Sequence, residues 1–131
     1  MTLTFFFSKN GNWMVPKKQT PLHLAAYFDI LWLVQTYILE NRRSVHATTN
    51  MDDTPLIWAS KMGSTECVHK LLDAGADPNK FEISDWSALH WAARNGHLEV
   101  AKLLLEHSAR LYHKDKKSHT PLDWAFDRIG M

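Results

Sequence analysis

An all-α solenoid of short helix pairs, stacked in layers and joined by β-turn loops, is the fold class this sequence predicts. Three observations predict it. One opening pattern, a Thr or Ser followed by Pro or Ala, Leu, a polar or apolar residue and then a bulky one, begins at Thr20, Thr54, Ser87 and Thr120, at spacings of 34, 33 and 33 residues. Each opening is followed by two apolar runs too short to be stable alone, since isolated helices under about 12 to 15 residues are marginal in water. The two runs are split by a turn residue, as at Asn95-Gly96-His97. A lone pair of such helices covers only one side of each member, so an apolar face remains on either side and neighbouring copies have to bury it.

The elements follow in order. Thr20-Pro21-Leu22-His23-Leu24-Ala25-Ala26 opens the first unit, and Leu31 to Asn41 makes its second helix. Thr54-Pro55-Leu56-Ile57-Trp58-Ala59-Ser60 opens the second unit, with Thr65 to Gly75 as its partner helix. In the third, Ser87-Ala88-Leu89-His90-Trp91-Ala92-Ala93 is stopped by Gly96, and Leu98, Val100, Ala101, Leu104 and Leu105 lie on the wide apolar arc of the helix that ends at His107-Ser108. Thr120-Pro121-Leu122-Asp123-Trp124-Ala125-Phe126 opens the fourth, after which the chain to Met131 has room for one helix. Each opening has a mechanism. The Thr or Ser hydroxyl caps the helix, Pro at the first helical position has no N–H to waste, and His or Asp three residues after the cap can answer it. Losing one such cap costs about 1 kcal/mol.

Four in-register openings, together with ends such as Leu71-Leu72-Asp73-Ala74-Gly75-Ala76-Asp77-Pro78-Asn79, make the chain resemble the ankyrin repeat family over about residues 17 to 131. The family's unit is a β-turn and two antiparallel helices carrying a T-P-L-H-x-A signature. The resemblance implies units starting near 17, 51, 84 and 117, the last truncated, preceded by a non-repeat segment over 1–16. Departures are informative. Where the family usually places Gly two residues before the cap, this chain has Lys18, Asp52, Asp85 and Ser118, so the turn tips are expected to be less ideal. The Gly ending the second helix is replaced by Asn41 in the first unit and Ser108 in the third, and Asp29 stands where Gly63 and Gly96 later separate the helices. Asn tolerates the left-handed region better than Ser. With an extra residue in the Arg42 to Ser44 loop, the first unit is the most irregular.

At the ends, Trp124, Phe126 and Ile129 are expected to have little cover, and Phe5, Phe6, Phe7, Trp13 and Val15 are candidates to fold over the first layer, a disordered tail being the alternative. Net charge is +1, which gives no reason to expect nucleic acid as a partner. The turn tips are charged in the order plus, minus, minus, plus, with Lys17 and Lys18, then Asp52 and Asp53, then Glu82 and Asp85, then Lys114, Lys116 and Lys117, which neighbouring tips can satisfy as exposed pairs. Cys67 is the single cysteine and reads as a buried core thiol, which suits a reducing compartment, cytoplasm or nucleus. The longest apolar run near the N-terminus, Phe5 to Phe7, is too short for a signal segment or membrane span, so no membrane partner is expected.

No enzyme is expected, and no cofactor or metal. His23 and His90 fall in the helix openings as capping residues, His107, His113 and His119 do not share a helical face, and GxSxG, HExxH, P-loop and CxxC motifs are absent. The resemblance implies protein recognition on a concave face lined by turn tips and first helices. Carried over by position, that face holds Gln19, Tyr27 and Phe28, then Asn50, Met51, Asp53, Lys61 and Met62, then Ile83, Ser84, Trp86, Arg94 and Asn95, then Lys116, Lys117, His119, Asp127 and Arg128. Tyr27, Phe28, Met51, Met62, Ile83 and Trp86 are large apolar groups of the kind interface cores favour, with Trp86 the best single anchor and packing inside the stack the alternative for each. Two roles fit: an adaptor binding an unknown protein on this face, monomeric unless the truncated last layer associates, or a structural piece of a longer array or multidomain scaffold with no partner of its own.

Overall fold

The computed structural model describes residues 17–130, together with the backbone of two short strands near the N-terminus. Those strands, β1 (Phe6–Phe7) and β2 (Trp13–Met14), pair antiparallel with Phe6 opposite Met14 and Phe7 opposite Trp13. The cover expected from the side chains of Phe5, Phe6, Phe7, Trp13 and Val15 lies outside the described residues.

Seven α-helices follow: α1 (Pro21–Tyr27), α2 (Leu31–Glu40), α3 (Pro55–Met62), α4 (Thr65–Asp73), α5 (Ala88–Asn95), α6 (Leu98–Glu106) and α7 (Pro121–Arg128). The first, third, fifth and seventh pack in one row, and α2, α4 and α6 in a second row behind it. This is the solenoid the repeat spacing requires. Helices of seven to ten residues persist because each buries an apolar side against the layer before and after it. Leu22, Leu56 and Leu89, the second helical residue of three openings, are essentially inaccessible, as are Val34, Val68 and Val100 in the second row.

The openings are built as the sequence requires. Thr20, Ser87 and Thr120 each accept a bond from the backbone N–H three residues on, and His23, His90 and Asp123 return the bond to the cap's own N–H. In the second unit Thr54 caps alone, because Ile57 has no polar atom to reach back. The histidines do more. The Nδ1 atom of His23 accepts from Thr20 N, so its Nε2–H is left to donate to Asp53 O in the next turn tip, at 2.8 Å. His90 repeats the arrangement from Ser87 N to His119 O. Burial pulls the pKa of both rings down, which keeps them in the neutral form this relay needs.

All four substituted tip residues adopt the left-handed backbone, with φ of 64° at Lys18, 61° at Asp52 and Asp85, and 65° at Ser118. Asp29 (57°) and Ser108 (68°) do the same at helix ends. Asn41 does not. Its φ is −153°, and its side chain instead accepts from Arg43 N to start a 3-10 turn over Arg42–His46, which absorbs the extra residue of that loop. The left-handed ending expected at Asn41 is thereby corrected.

Turn tips gain their shape from a buried side chain that accepts backbone N–H groups of the tip. Five positions before each later cap stand Thr49, Glu82 and Asp115, all buried. Thr49 Oγ1 accepts from Met51 N and Asp53 N, Glu82 Oε1 from Ser84 N and Trp86 N, and Asp115 Oδ1 from Lys117 N and His119 N. Each tip is also tied to the one before it by a backbone bond, Asn50 N to Lys17 O, Ile83 N to Met51 O and Lys116 N to Ser84 O. These bonds bring the four tips into one continuous surface.

At the far end Leu98 is 78% exposed and Ile129 64%, and a groove of about 330 Å³ runs between α5, α6 and α7 along Leu89, Ala101, Leu105 and Leu122. Phe126 is exposed as expected, whereas Trp124 is half-buried because it turns toward the tips rather than toward this end.

Candidate partner-binding face

The four openings align a single column of side chains, Leu24, Trp58, Trp91 and Trp124, each the fourth residue after its cap. In the second unit Trp58 is closed over, with the His23 ring edge-on at 5.3 Å and the Tyr27 ring at 5.7 Å. Further along, the column opens. Trp86, standing just before the Ser87 cap, places its ring 4.5 Å from Trp91 and 5.0 Å from Trp124, so that three half-buried indoles of two units meet. His119 stands edge-on to Trp124 at 5.0 Å.

Charge is arranged around these rings. The Lys61 ammonium lies 4.6 Å from the Trp91 ring centre, and the exposed Arg94 guanidinium 5.9 Å from that of Trp124, both within cation–π range. Trp124 Nε1 donates to Asp115 Oδ2 at 2.7 Å, and the Trp86 side chain bonds the same carboxylate. Burial would push the Asp115 carboxyl up, but the N–H of His119, the Trp124 indole and the N–H of Lys117 outweigh it and hold the pKa below its ordinary value, so the charge is kept. Asp53 and Glu82 are different. Burial pushes both up, and it pulls Lys61 down to about 8 although the two carboxylates work to keep it charged.

The residues expected on the concave face divide accordingly. Phe28, Met62 and Ile83 are exposed at 40%, 43% and 39%, while Tyr27, Met51 and Trp86 are half-buried within the stack. Arg94, Lys117 and His119 are exposed. Asp53 and Asn95 are drawn into the stack. Asp53 is only 5% exposed, because its carbonyl receives His23 and its N–H bonds Thr49, which seats the residue beneath the tip. Asn95 spends its amide on the stack, donating Nδ2 to Lys61 O at 3.0 Å where the C-terminal carbonyls of α3 lack helical partners. Of the charged tip residues, Asp53 and Glu82 are buried, whereas Lys17, Lys18, Asp52, Lys114, Lys116 and Lys117 are exposed. Cys67 is the buried core thiol anticipated, pushed up to about 12 by burial and by Asp29, whose carboxylate accepts from Sγ at 3.4 Å. Among the described residues no cluster of three or more His, Cys, Asp or Glu could hold a metal ion, and no helix is long and apolar enough to cross a membrane.

A family model described as ankyrin repeats in many copies matches residues 56–105 and 90–128. The chain belongs to the ankyrin repeats. Neurogenic locus notch homolog protein 1 of Danio rerio is 35% identical over 104 residues, which is 79% of this chain and 4% of that protein, and its Homo sapiens counterpart is 31% identical over the same shares. The E3 ubiquitin-protein ligase Ufd4 of Drosophila melanogaster is 40% identical over 85 residues, 65% of this chain and 3% of that protein. The chain thus spans only a few per cent of the length of these relatives. Ankyrin repeats are generally protein interaction modules and typically non-enzymatic. Two members of the tryptophan trio of this ankyrin stack, Trp91 and Trp124, share one column of the aligned openings with Trp58, but the meeting of Trp86 with those two depends on the tip fold.

Proposed function

We propose that this chain is a protein-binding module that takes a partner segment across the concave face formed by its turn tips and the row α1, α3, α5 and α7, without catalysing a reaction. The observation that carries this reading is the apolar and aromatic surface at the tips and inner helix ends. Phe28, Met62 and Ile83 are open to solvent there, beside three half-open indoles and the exposed Arg94. Aromatic residues, Met and Arg are the groups interface centres favour, and here they stand on tips tied to one another by backbone hydrogen bonds. A second reading, a structural piece of a longer array, is favoured by the apolar groove between α5, α6 and α7, whose lining of Leu89, Ala101, Leu105 and Leu122 a further layer could bury.

Photo-crosslinking distinguishes the faces. A benzoylphenylalanine placed at Ile83 or Met62 should trap a bound partner, whereas the same group at Trp32 on the exposed side of α2 should not. Crosslinks from Trp32 alone would remove the concave face from consideration, and crosslinks from Leu98 or Ile129 alone would favour the second reading.

A further inference from the structure

We infer that the meeting point of Trp86, Trp91 and Trp124 is an aromatic cage that receives the methylated ammonium of a lysine side chain on the partner protein. This rests on the reading of the concave face as a protein-binding surface and names the chemistry its centre selects.

The Trp86 ring stands 4.5 Å from that of Trp91 and 5.0 Å from that of Trp124 in the adjacent unit, at tilts of 60° and 52°, and all three indoles are half-buried where Trp58 is closed over by Tyr27. Ring faces carry negative electrostatic potential, so a pocket of several faces attracts a cation. The chain's own side chains report that attraction, because the Lys61 ammonium and the Arg94 guanidinium already lie over two of the rings. Arg94 is exposed and sits near the outer limit of useful range, so an incoming cation can take its place over Trp124 by swinging it into solvent.

Asp115 decides between an ordinary and a methylated lysine. It supplies a buried negative charge beneath the rings, yet its oxygens are already taken. Oδ1 receives Lys117 N and His119 N, and Oδ2 receives the Trp124 indole. An unmodified ammonium has three N–H donors to satisfy and is strongly hydrated, so it would surrender water without finding acceptors here. Methylation removes donors while keeping the charge, and a trimethylated ammonium asks only for ring faces and a nearby anion. The open, continuous row of tips suits a peptide lying across the units more than a small molecule enclosed in a cavity.

The test is a titration of the full chain, followed through its indole N–H resonances, with three alanine-serine heptapeptides that differ only at the central residue. That residue is trimethyllysine, unmodified lysine or the uncharged tert-butyl isostere. The trimethylated peptide should bind roughly tenfold more tightly than either of the others and shift Trp86, Trp91 and Trp124 but not Trp32. Arg94→Ala, which removes the resident cation from Trp124, should tighten it severalfold. Tetramethylammonium should shift the same indoles more weakly than the peptide. Equal binding of the lysine and trimethyllysine peptides, or of the uncharged isostere, would overturn the cage, and tetramethylammonium binding as tightly as the peptide would overturn its assignment to a protein partner. If a natural partner crosslinks at Ile83 while no methylated probe moves the three indoles, the cage falls and the binding face stands. Crosslinks confined to the outer helices would remove the face itself.

Discussion

Asp115→Ala is the substitution through which the design of the turn tips can be measured. The carboxylate accepts from Lys117 N and His119 N at 2.9 Å each and from Trp124 Nε1 at 2.7 Å, and the Trp86 side chain also bonds it, so truncation breaks all of these contacts at once. A hydrogen bond to a charged group is worth about 1.5 to 3 kcal/mol, but the values do not add within one network. Lys117 and His119 are exposed, so water can replace part of what their N–H groups lose, whereas the half-buried indole is less easily satisfied. Together these give a loss of about 2 to 4 kcal/mol for Asp115→Ala. Asp115→Asn keeps one acceptor for the two backbone donors but turns an amide N–H₂ toward the indole and removes the charge, for about half that cost. In a solenoid the loss falls first on the local layer, so the α7 amides should exchange sooner than those of α3.

The effect has a pH signature. The folded pKa of Asp115 lies below its unfolded value, so its contribution is present above the ordinary carboxylate range and is lost as pH falls through the folded value. Urea unfolding followed by circular dichroism and tryptophan fluorescence should therefore show a large gap between the natural chain and Asp115→Ala at pH 7, and a much smaller one in acid. A difference below about 0.5 kcal/mol at pH 7, the range of ordinary surface changes, would refute the role assigned to this side chain.

Further outcomes are expected elsewhere. Ser108→Gly should stabilise the chain by about 0.5 to 1 kcal/mol, since φ at Ser108 is 68° and glycine meets no Cβ penalty there; an unchanged denaturation midpoint would contradict it. Trp86→Ala should lower stability by about 2 kcal/mol, less than for a fully buried tryptophan, because the ring is half-buried between Trp91 and Trp124; a variant with unaltered melting would place Trp86 outside the stack. Lys61 should titrate near pH 8 in a nitrogen-detected NMR experiment. Because its folded pKa is lowered, the unfolded chain holds more protons above that point, so this residue's share of stability should rise with pH between about 8 and its unfolded value of 10.5, and a midpoint near 10.5 would show that burial does not perturb it.

The architecture was legible from residue types and spacing alone. Caps, first-position prolines and the 33-residue interval act through local hydrogen bonds and helix geometry, which depend on neighbours in the chain, so Thr20, Ser87 and Thr120 behave as their motifs require. Ser108 and Asp29, which stand at positions that glycine fills in other units, do adopt the left-handed backbone, whereas Asn41 does not. At Asn41 an inserted residue gave the chain the choice of a 3-10 turn, and the next layer decided between them, since Arg42 reaches the carbonyls of Asp73 and Ala74. The binding face depended still more on tertiary contact. Position in the unit marked Asp53, Asn95 and Trp86 as outward-facing, but a residue's exposure is set by what the adjacent unit offers it. His23 draws the backbone of Asp53 inward, a helix-end carbonyl captures Asn95, and Asp115 together with two further indoles holds Trp86. Sequence determined that this chain builds layers; the packing of one layer on the next, which pairs groups about 30 residues apart, decided which side chains remain available to a partner.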